Sequence, residues 1–268
     1  MKLKILNVDK TEKGTIELPS QFTEQVSHDL IKRAVMAIRA NKRQAYGSSP
    51  TAGRRQSAKI SRRRRNYKGS YGLGISRVPR KTMSRRGRRF NWMGAFAPGT
   101  VGGRRAHPPK AEKIWKIKIN KKENRKAIRS AISATLNKEL VMKRGHKVPS
   151  TYPFIFGSGI EAIQKTKEAV KAMAATGFEE EMKRADHKSI RAGKGKMRGR
   201  KYTTKKGPLL VVSKKCALMK SARNIPGIDI VEVDKINAEM LAPGATPGRM
   251  TIFTEQAMER MSKERLFN

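Results

Sequence analysis

The chain has 268 residues, 62 of them Lys or Arg and 21 Asp or Glu, for a formal charge of +41. That length bounds it to one or two domains. So much like charge repels itself in a compact free monomer, and a polyanionic partner is expected, nucleic acid rather than acidic lipid, because counterion release drives nucleic acid onto a many-arginine surface.

No run of about 20 apolar residues and no basic amphipathic surface helix occurs, which excludes membrane classes. MKLKILNVDKTEKGTIELP has too short an apolar run for a secretory signal and no cleavage pattern, which points to the cytoplasm. The single cysteine, Cys216, excludes an internal disulfide framework and a Cys-rich zinc site, and in SKKCALMK it reads as a small packed side chain at helical spacing.

From the N-terminus, KLKILNV alternates like a strand and GTIELP answers it after a turn. Val26, Leu30, Ala34, Val35 and Ile38 then recur at helical spacing. From Gly47 to about Pro109 the periodicity disappears under Gly, Ser, Pro and Arg, and no core is expected there. Beyond Lys110, IWKIKI reads as a short strand or extended lead-in. Ala127, Ile128, Ala131, Ile132, Thr135, Leu136 and Leu140 line one helix closed near Gly145.

TYPFIF follows as a buried strand, GSGIEAIQKTKEAVKAMAATG as a helix with a Gly stop, PLLVVS and GIDIVEV as strands, and RMTIFTEQAMERM as a last strand leading into a helix. Apolar strands alternating with helices predict a three-layer α/β/α domain with a mainly parallel central sheet. No repeat of 20 to 50 residues interrupts it. The expected division is residues 1–44 and 111–268 as one globular domain, with 45–110 as a long basic loop without a core of its own.

That loop carries the charge asymmetry. Between Asp29 and Glu112 lie 82 residues without an acidic side chain and with 23 Lys or Arg. A segment so charged and so poor in apolar area cannot offset its ordering entropy, and it is expected to take shape only against a partner. Its composition suits folded RNA, since arginine bridges phosphate oxygens with a planar fork and also stacks on bases.

The phosphate-binding candidates are Arg54 and Arg55, the run Arg62, Arg63, Arg64 and Arg65, then Lys68, Arg77, Arg80 and Lys81. Arg85, Arg86, Arg88 and Arg89 continue the series, with Arg104 and Arg105 on the return, where His107 reads equally as an RNA contact or a turn-stabilising residue. Tyr67, Tyr71 and Trp92, with Phe90 beside them, are candidates for stacking on unpaired bases. A loop of 66 residues anchored at both ends reaches at most about 100 Å, enough to thread between RNA helices.

A second basic segment, GKGKMRGRKYTTKKG at 193–207, does not match G-x-x-x-x-G-K-[ST] and precedes a strand where that motif follows one. It reads as a basic turn against RNA backbone, through Lys194, Lys196, Arg198, Arg200 and Lys201. Gly157, Gly159 and Ala162 match G-x-G-x-x-A, but no strand with a ribose-binding acid follows about 20 residues on, so a plain strand-to-helix turn is expected. The four histidines, His28, His107, His146 and His187, show no ligand spacing, and Glu179, Glu180 and Glu181 read as a solvated helix start. No catalytic residue, metal site or cofactor is expected.

GSYGLGISRVPR, GAFAPGTVGGRRAHPPKAEKIW, NRKAIRSAISATLNKELVMKRGHKV, GKGKMRGRKYTTKKGPLLVVS and NIPGIDIVEVDKINAEMLAPG follow one another in this order. In these motifs, which span nearly the whole chain, the sequence resembles the large-subunit ribosomal protein L-four family in its archaeal and eukaryotic form. The resemblance implies a non-enzymatic constituent of the large subunit that binds large-subunit rRNA, acts early in assembly and touches neighbouring ribosomal proteins. It further implies a loop tip, Gly69 to Arg89, at the wall of the peptide exit tunnel, with Arg77, Arg80 and Lys81 nearest the nascent polypeptide.

Overall fold

A computed structural model describes all 268 residues and divides them into two compact units, Met1–Lys42 with Lys116–Asn268, and Arg43–Trp115. The first unit opens with β1 (Lys2–Leu6), β2 (Glu12–Glu17) and α1 (His28–Asn41). Strands β3 (Arg80–Arg86) and β4 (Arg89–Gly94) belong to the second unit. The first then resumes with α2 (Lys121–Leu136), α3 (Lys138–Lys143), β5 (Ile155–Phe156), α4 (Thr166–Ala175) and α5 (Glu179–Asp186). It ends with β6 (Lys188–Ile190), β7 (Tyr202–Thr204), β8 (Leu209–Val212), α6 (Ala217–Ser221), β9 (Asp229–Glu232), α7 (Ala238–Leu241), β10 (Thr251–Phe253) and α8 (Glu255–Lys263). No helix is long and apolar enough to cross a membrane.

The architecture is mixed α/β. One three-stranded sheet runs β2-β1-β5, antiparallel at its first pair and parallel at its second; the other, β10-β8-β9, is wholly parallel. A single parallel bridge, Phe156 to Thr254, links β5 to the end of β10. Strand alternation feeds two apolar clusters: Leu209 and Val211 of β8 join Ile31, Ile128 and Leu241, whereas Leu210 and Val212 join Phe156, Met173 and Leu218. This two-sided burial is why PLLVVS reads as a continuous apolar run, and each such side chain contributes roughly 1.5 to 3 kcal/mol.

Two elements differ from the sequence reading. The helix expected to continue to Gly145 breaks at Asn137, whose side chain accepts the N–H groups of Glu139 at 3.0 Å and Leu140 at 3.3 Å and starts α3. An asparagine offered at a turn outcompetes the helix ladder there. After β5 the chain forms a 3₁₀ turn at Ser158–Ala162, and the helix begins only at Thr166, so Gly157, Gly159 and Ala162 sit ahead of no α-helix N-terminus. IWKIKI is extended chain that pairs with no strand.

Unlike the first unit, the second has almost no interior: its buried residues are Ser70 and Ala95. It is held by hydrogen bonds between its two arms. Ser48 N–H donates to Pro109 O at 3.0 Å, Gln56 Nε2 to Gly102 O at 3.1 Å, and Ala95 N–H to Pro79 O at 2.8 Å, while Lys59 bridges to Arg80. Periodicity does not foretell its one regular element, the antiparallel hairpin β3–β4, which pairs Arg80 with Gly94 and Arg86 with Arg89 across a bulge at Met83.

Candidate nucleic-acid interface

In the second unit, 20 Lys and Arg stand against one carboxylate, Glu112. Every Lys or Arg ion pair of the protein lies in the first unit and none in the second. Its cations are instead spaced over aromatic rings and backbone carbonyls, which orient a guanidinium without neutralising it.

The hairpin shows how. Phe90 and Trp92 alternate on one face of β4 and stack with centroids 5.3 Å apart; Tyr67 meets Phe90 edge-on at 5.4 Å. Arg85 Nη1 donates to Tyr67 Oη at 2.6 Å, and Lys68 Nζ lies 5.6 Å above Phe90. Arg77 covers Tyr71 at 4.5 Å, and Arg80 Nη2 reaches Ser76 O at 3.0 Å and Ser76 Oγ at 3.1 Å. Arg54 and Arg104 lie over Phe96 at 5.5 and 5.8 Å, and Arg55 donates to Ser49 Oγ at 3.4 Å.

Most of the predicted contact residues are exposed. Arg62, Arg63, Arg64 and Arg65 form an open turn, Arg86, Arg88 and Arg89 crowd the hairpin end, and Arg105 and His107 border a cavity near the end of the return arm. Arg80, Lys81, Trp92 and Arg104 are half-buried. The aromatics thus pack chiefly on their own loop, and the guanidinium edges are what the unit offers outward.

Lys194, Lys196, Arg198, Arg200 and Lys201 lie in the first unit, on the turn between β6 and β7, with every one exposed. Arg191 braces this hairpin, donating to Arg200 O at 3.1 Å. From His187 to Ile228 no acidic residue occurs, so the hairpin is a second unneutralised surface.

Its base is tied to a buried network that the sequence reading missed. Glu181 is fully buried rather than solvated: His146 Nδ1–H donates to it at 2.7 Å, Lys147 N–H at 2.8 Å, and Arg184 through Nε at 2.7 Å and Nη2 at 2.6 Å. Burial works to raise the Glu181 pKa, but the donors from Arg184, His146 and Lys147 outweigh it and hold the carboxyl below the usual range. Burial dominates at His146 and pushes its pKa down despite Glu181.

Arg184 Nη2 also donates to Lys206 O at 2.7 Å, and the next carbonyl, Gly207 O, accepts from buried Arg249 Nε at 2.9 Å. Arg249 in turn pairs with Asp229 at 2.7 Å. Two successive carbonyls at the exit of the hairpin are therefore each held by an arginine with its own carboxylate. Burial, with Arg249 and Arg184 nearby, pushes the third arginine, Arg144, down to about 10.

The rival nucleotide reading loses its geometry. Gly157 N–H is already spent on Leu6 O at 2.9 Å, and no helix dipole opens behind it. Cys216 stands half-buried at the N-cap position of α6 rather than within a helix, with burial raising its thiol pKa. A cavity of about 880 Å³ beside β9 contains the carboxylates Asp229 and Glu239, each already paired with cations.

Residues 16–264 match the model of the ribosomal protein L4/L1 family. The chain belongs to that family. Among curated relatives, it is 47% identical to the large ribosomal subunit protein uL4 of Nanoarchaeum equitans over the full length of both chains. It is 43% identical to the protein of that name from Archaeoglobus fulgidus, covering 98% of this chain and 99% of that one. For Halobacterium salinarum the identity is 39%, over 98% and 100%.

Proposed function

We propose that this protein is a structural, non-enzymatic constituent of the large ribosomal subunit, that it binds rRNA through the Arg43–Trp115 unit and the β6–β7 hairpin, and that it enters assembly early. The observation that carries the reading is the second unit itself, with 20 cations, one carboxylate and no ion pair. Arginines laid over rings present their N–H edges to phosphate at little entropic cost, and counterion release does the rest.

The finer assignments follow the same logic. The Arg54–His107 series and the Lys194–Lys201 turn are the phosphate contacts, with the Gly69–Arg89 segment as the tip at the exit tunnel and Arg77, Arg80 and Lys81 nearest the nascent chain. Residues 45–110 act as the RNA-threading loop, and 1–44 with 111–268 as the globular domain, its two sheets working as one mainly parallel layer between helices. Alternate burial along β8 and the Phe156–Thr254 bridge favour that three-layer reading. Neighbouring ribosomal proteins are the remaining partners.

Crosslinking of assembled large subunits, read at nucleotide resolution, tests the assignment. Contacts from the loop and from the β6–β7 turn are expected at distinct rRNA sites, and a photo-crosslinker replacing Arg77 is expected to capture a stalled nascent chain. Absence of the protein from gradient-purified large subunits refutes the function; absence of the nascent-chain adduct alone refutes the tip.

A further inference from the structure

The two arms of the second unit converge so closely that a Cβ on Gly47 would lie 2.3 Å from the Ala111 nitrogen. At that convergence stands an aromatic pair which the sequence reading does not single out. Tyr46 and Trp115 stack with centroids 5.8 Å apart and planes 20° from parallel. Arg43 lies 3.7 Å over the indole and Lys113 4.4 Å from its centroid.

Beside the pair, and lined by both rings, opens a cavity of about 680 Å³ bordered by Arg105, His107, Lys110 and Lys113, with Glu112 as its one carboxylate. Three features at the aromatic pair are unspent. The Arg43 guanidinium donates no hydrogen bond and has no carboxylate partner, so ring stacking fixes its plane while its N–H groups stay available. The Trp115 indole N–H is buried without an acceptor, and an unmade bond of that kind is costly. Tyr46 is 53% exposed, a large ring left open at the cavity edge.

A ligand that satisfies all three is flat and aromatic, carries a hydrogen-bond acceptor on its edge, and bears an anion one linkage away. An acidic peptide answers the cations and the indole donor but not the rings. We propose that this cavity takes one unstacked ribonucleotide, its base against the Tyr46–Trp115 pair, an acceptor of the base on Trp115 Nε1–H, and its phosphate between Arg43 and Arg105. The site rests on the rRNA-binding reading and deepens it, because it makes the stem of the unit a base-capturing clamp as well as a charged surface. Base–aromatic stacks of this kind are sequence-tolerant.

The chain contains two tryptophans, Trp92 and Trp115. In the full-length W92F protein the remaining emission therefore reports on the cavity. The probe is a seven-nucleotide single-stranded oligoadenylate, titrated against an abasic oligonucleotide of the same length and against polyglutamate. Saturable quenching of Trp115 by oligoadenylate alone is expected, together with binding about ten-fold weaker after an added Tyr46→Leu change.

Oligoadenylate binding with unchanged Trp115 emission overturns the clamp and leaves the rRNA reading intact. Equal quenching by the abasic strand or by polyglutamate overturns the base as ligand. No binding of any RNA overturns both readings. If Tyr46→Leu disturbs folding by circular dichroism, the comparison of the three probes on W92F decides alone.

Discussion

Glu181→Gln removes the one fully buried carboxylate of the network while keeping its shape. The carboxylate receives four donors, from His146, Lys147 and twice from Arg184. The introduced amide can accept only at its single carbonyl oxygen and brings an N–H₂ group toward the Arg184 and His146 donors. Arg184, whose side chain is 16% exposed, is then left charged near Arg144. Removing one partner of a buried pair costs about 3 to 5 kcal/mol, and the residual exposure of Arg184 sets the expectation at the lower end, about 3 kcal/mol, or roughly a hundred-fold in the unfolding equilibrium.

Urea unfolding of the full chain, followed by far-UV circular dichroism at constant salt, measures it. The midpoint falls with the slope unchanged. The same network fixes a pH dependence. His146 has a folded pKa below its ordinary 6.5, so the unfolded state binds more protons as pH drops through 6.5, and stability falls with it. Glu181, also depressed, contributes stability that is present above its ordinary 4.5 and is lost as pH falls through its lower folded value. Wild type therefore loses stability from about pH 6.5 downward in two stages, and in the variant the second is smaller, since Asp229 and Glu179, also depressed, still contribute to it. A change under about 1 kcal/mol in the variant at pH 7.5 refutes the view that this network is a uniquely satisfied buried charge.

Binding of the full chain to a matching rRNA fragment is expected to show log affinity falling against log salt with a slope of about −7 to −9 if some ten cations replace condensed counterions. Changing Arg62, Arg63, Arg64 and Arg65 together to Ala flattens that slope by about 3, and an unaltered slope removes the run from the interface. Gly227 has φ +75°, and a Cβ there would lie 2.6 Å from Ala185 Cβ. Gly227→Ala is thus expected to lower Tm well beyond Gly193→Ala, which has a similar φ of +77° and open space, and equal losses contradict the packing account. Hydrogen exchange in residues 47–109 is expected to be fast in the free protein at moderate ionic strength and slowed by bound RNA; slow exchange without RNA contradicts the charge-ordered loop.

Legible in the sequence is whatever depends on composition or short-range period. The strands KLKIL, LLVV, DIVE and TIF announce themselves because each buries residues on both faces or alternates across one. Unpaired charge is equally local, since an acid-free stretch leaves its cations no nearby partner. Glu181 shows the opposite case. Among three consecutive glutamates at a helix start, only the fold decides which one turns inward, and it does so toward His146, 35 residues away in sequence. Trp115 reads as part of an extended lead-in, and its partner Tyr46 lies on the other arm, so no periodicity joins them.

The β3–β4 hairpin is intermediate. RRGRR flanked by TMS and FNWM carries a central glycine and a Phe–x–Trp alternation, enough to suggest a turn between strands, but the surrounding arginines mask the period that hydrophobic patterning relies on. The strands can pair because their stabilising face is aromatic and the cations stand outward, which separates the contacts that give the hairpin its shape from those left for a polyanion. Loss of Phe90 or Trp92 would therefore misplace arginines that themselves touch neither ring. The dependence runs from ring to guanidinium to phosphate, so a chain this charged needs its few aromatics chiefly as supports.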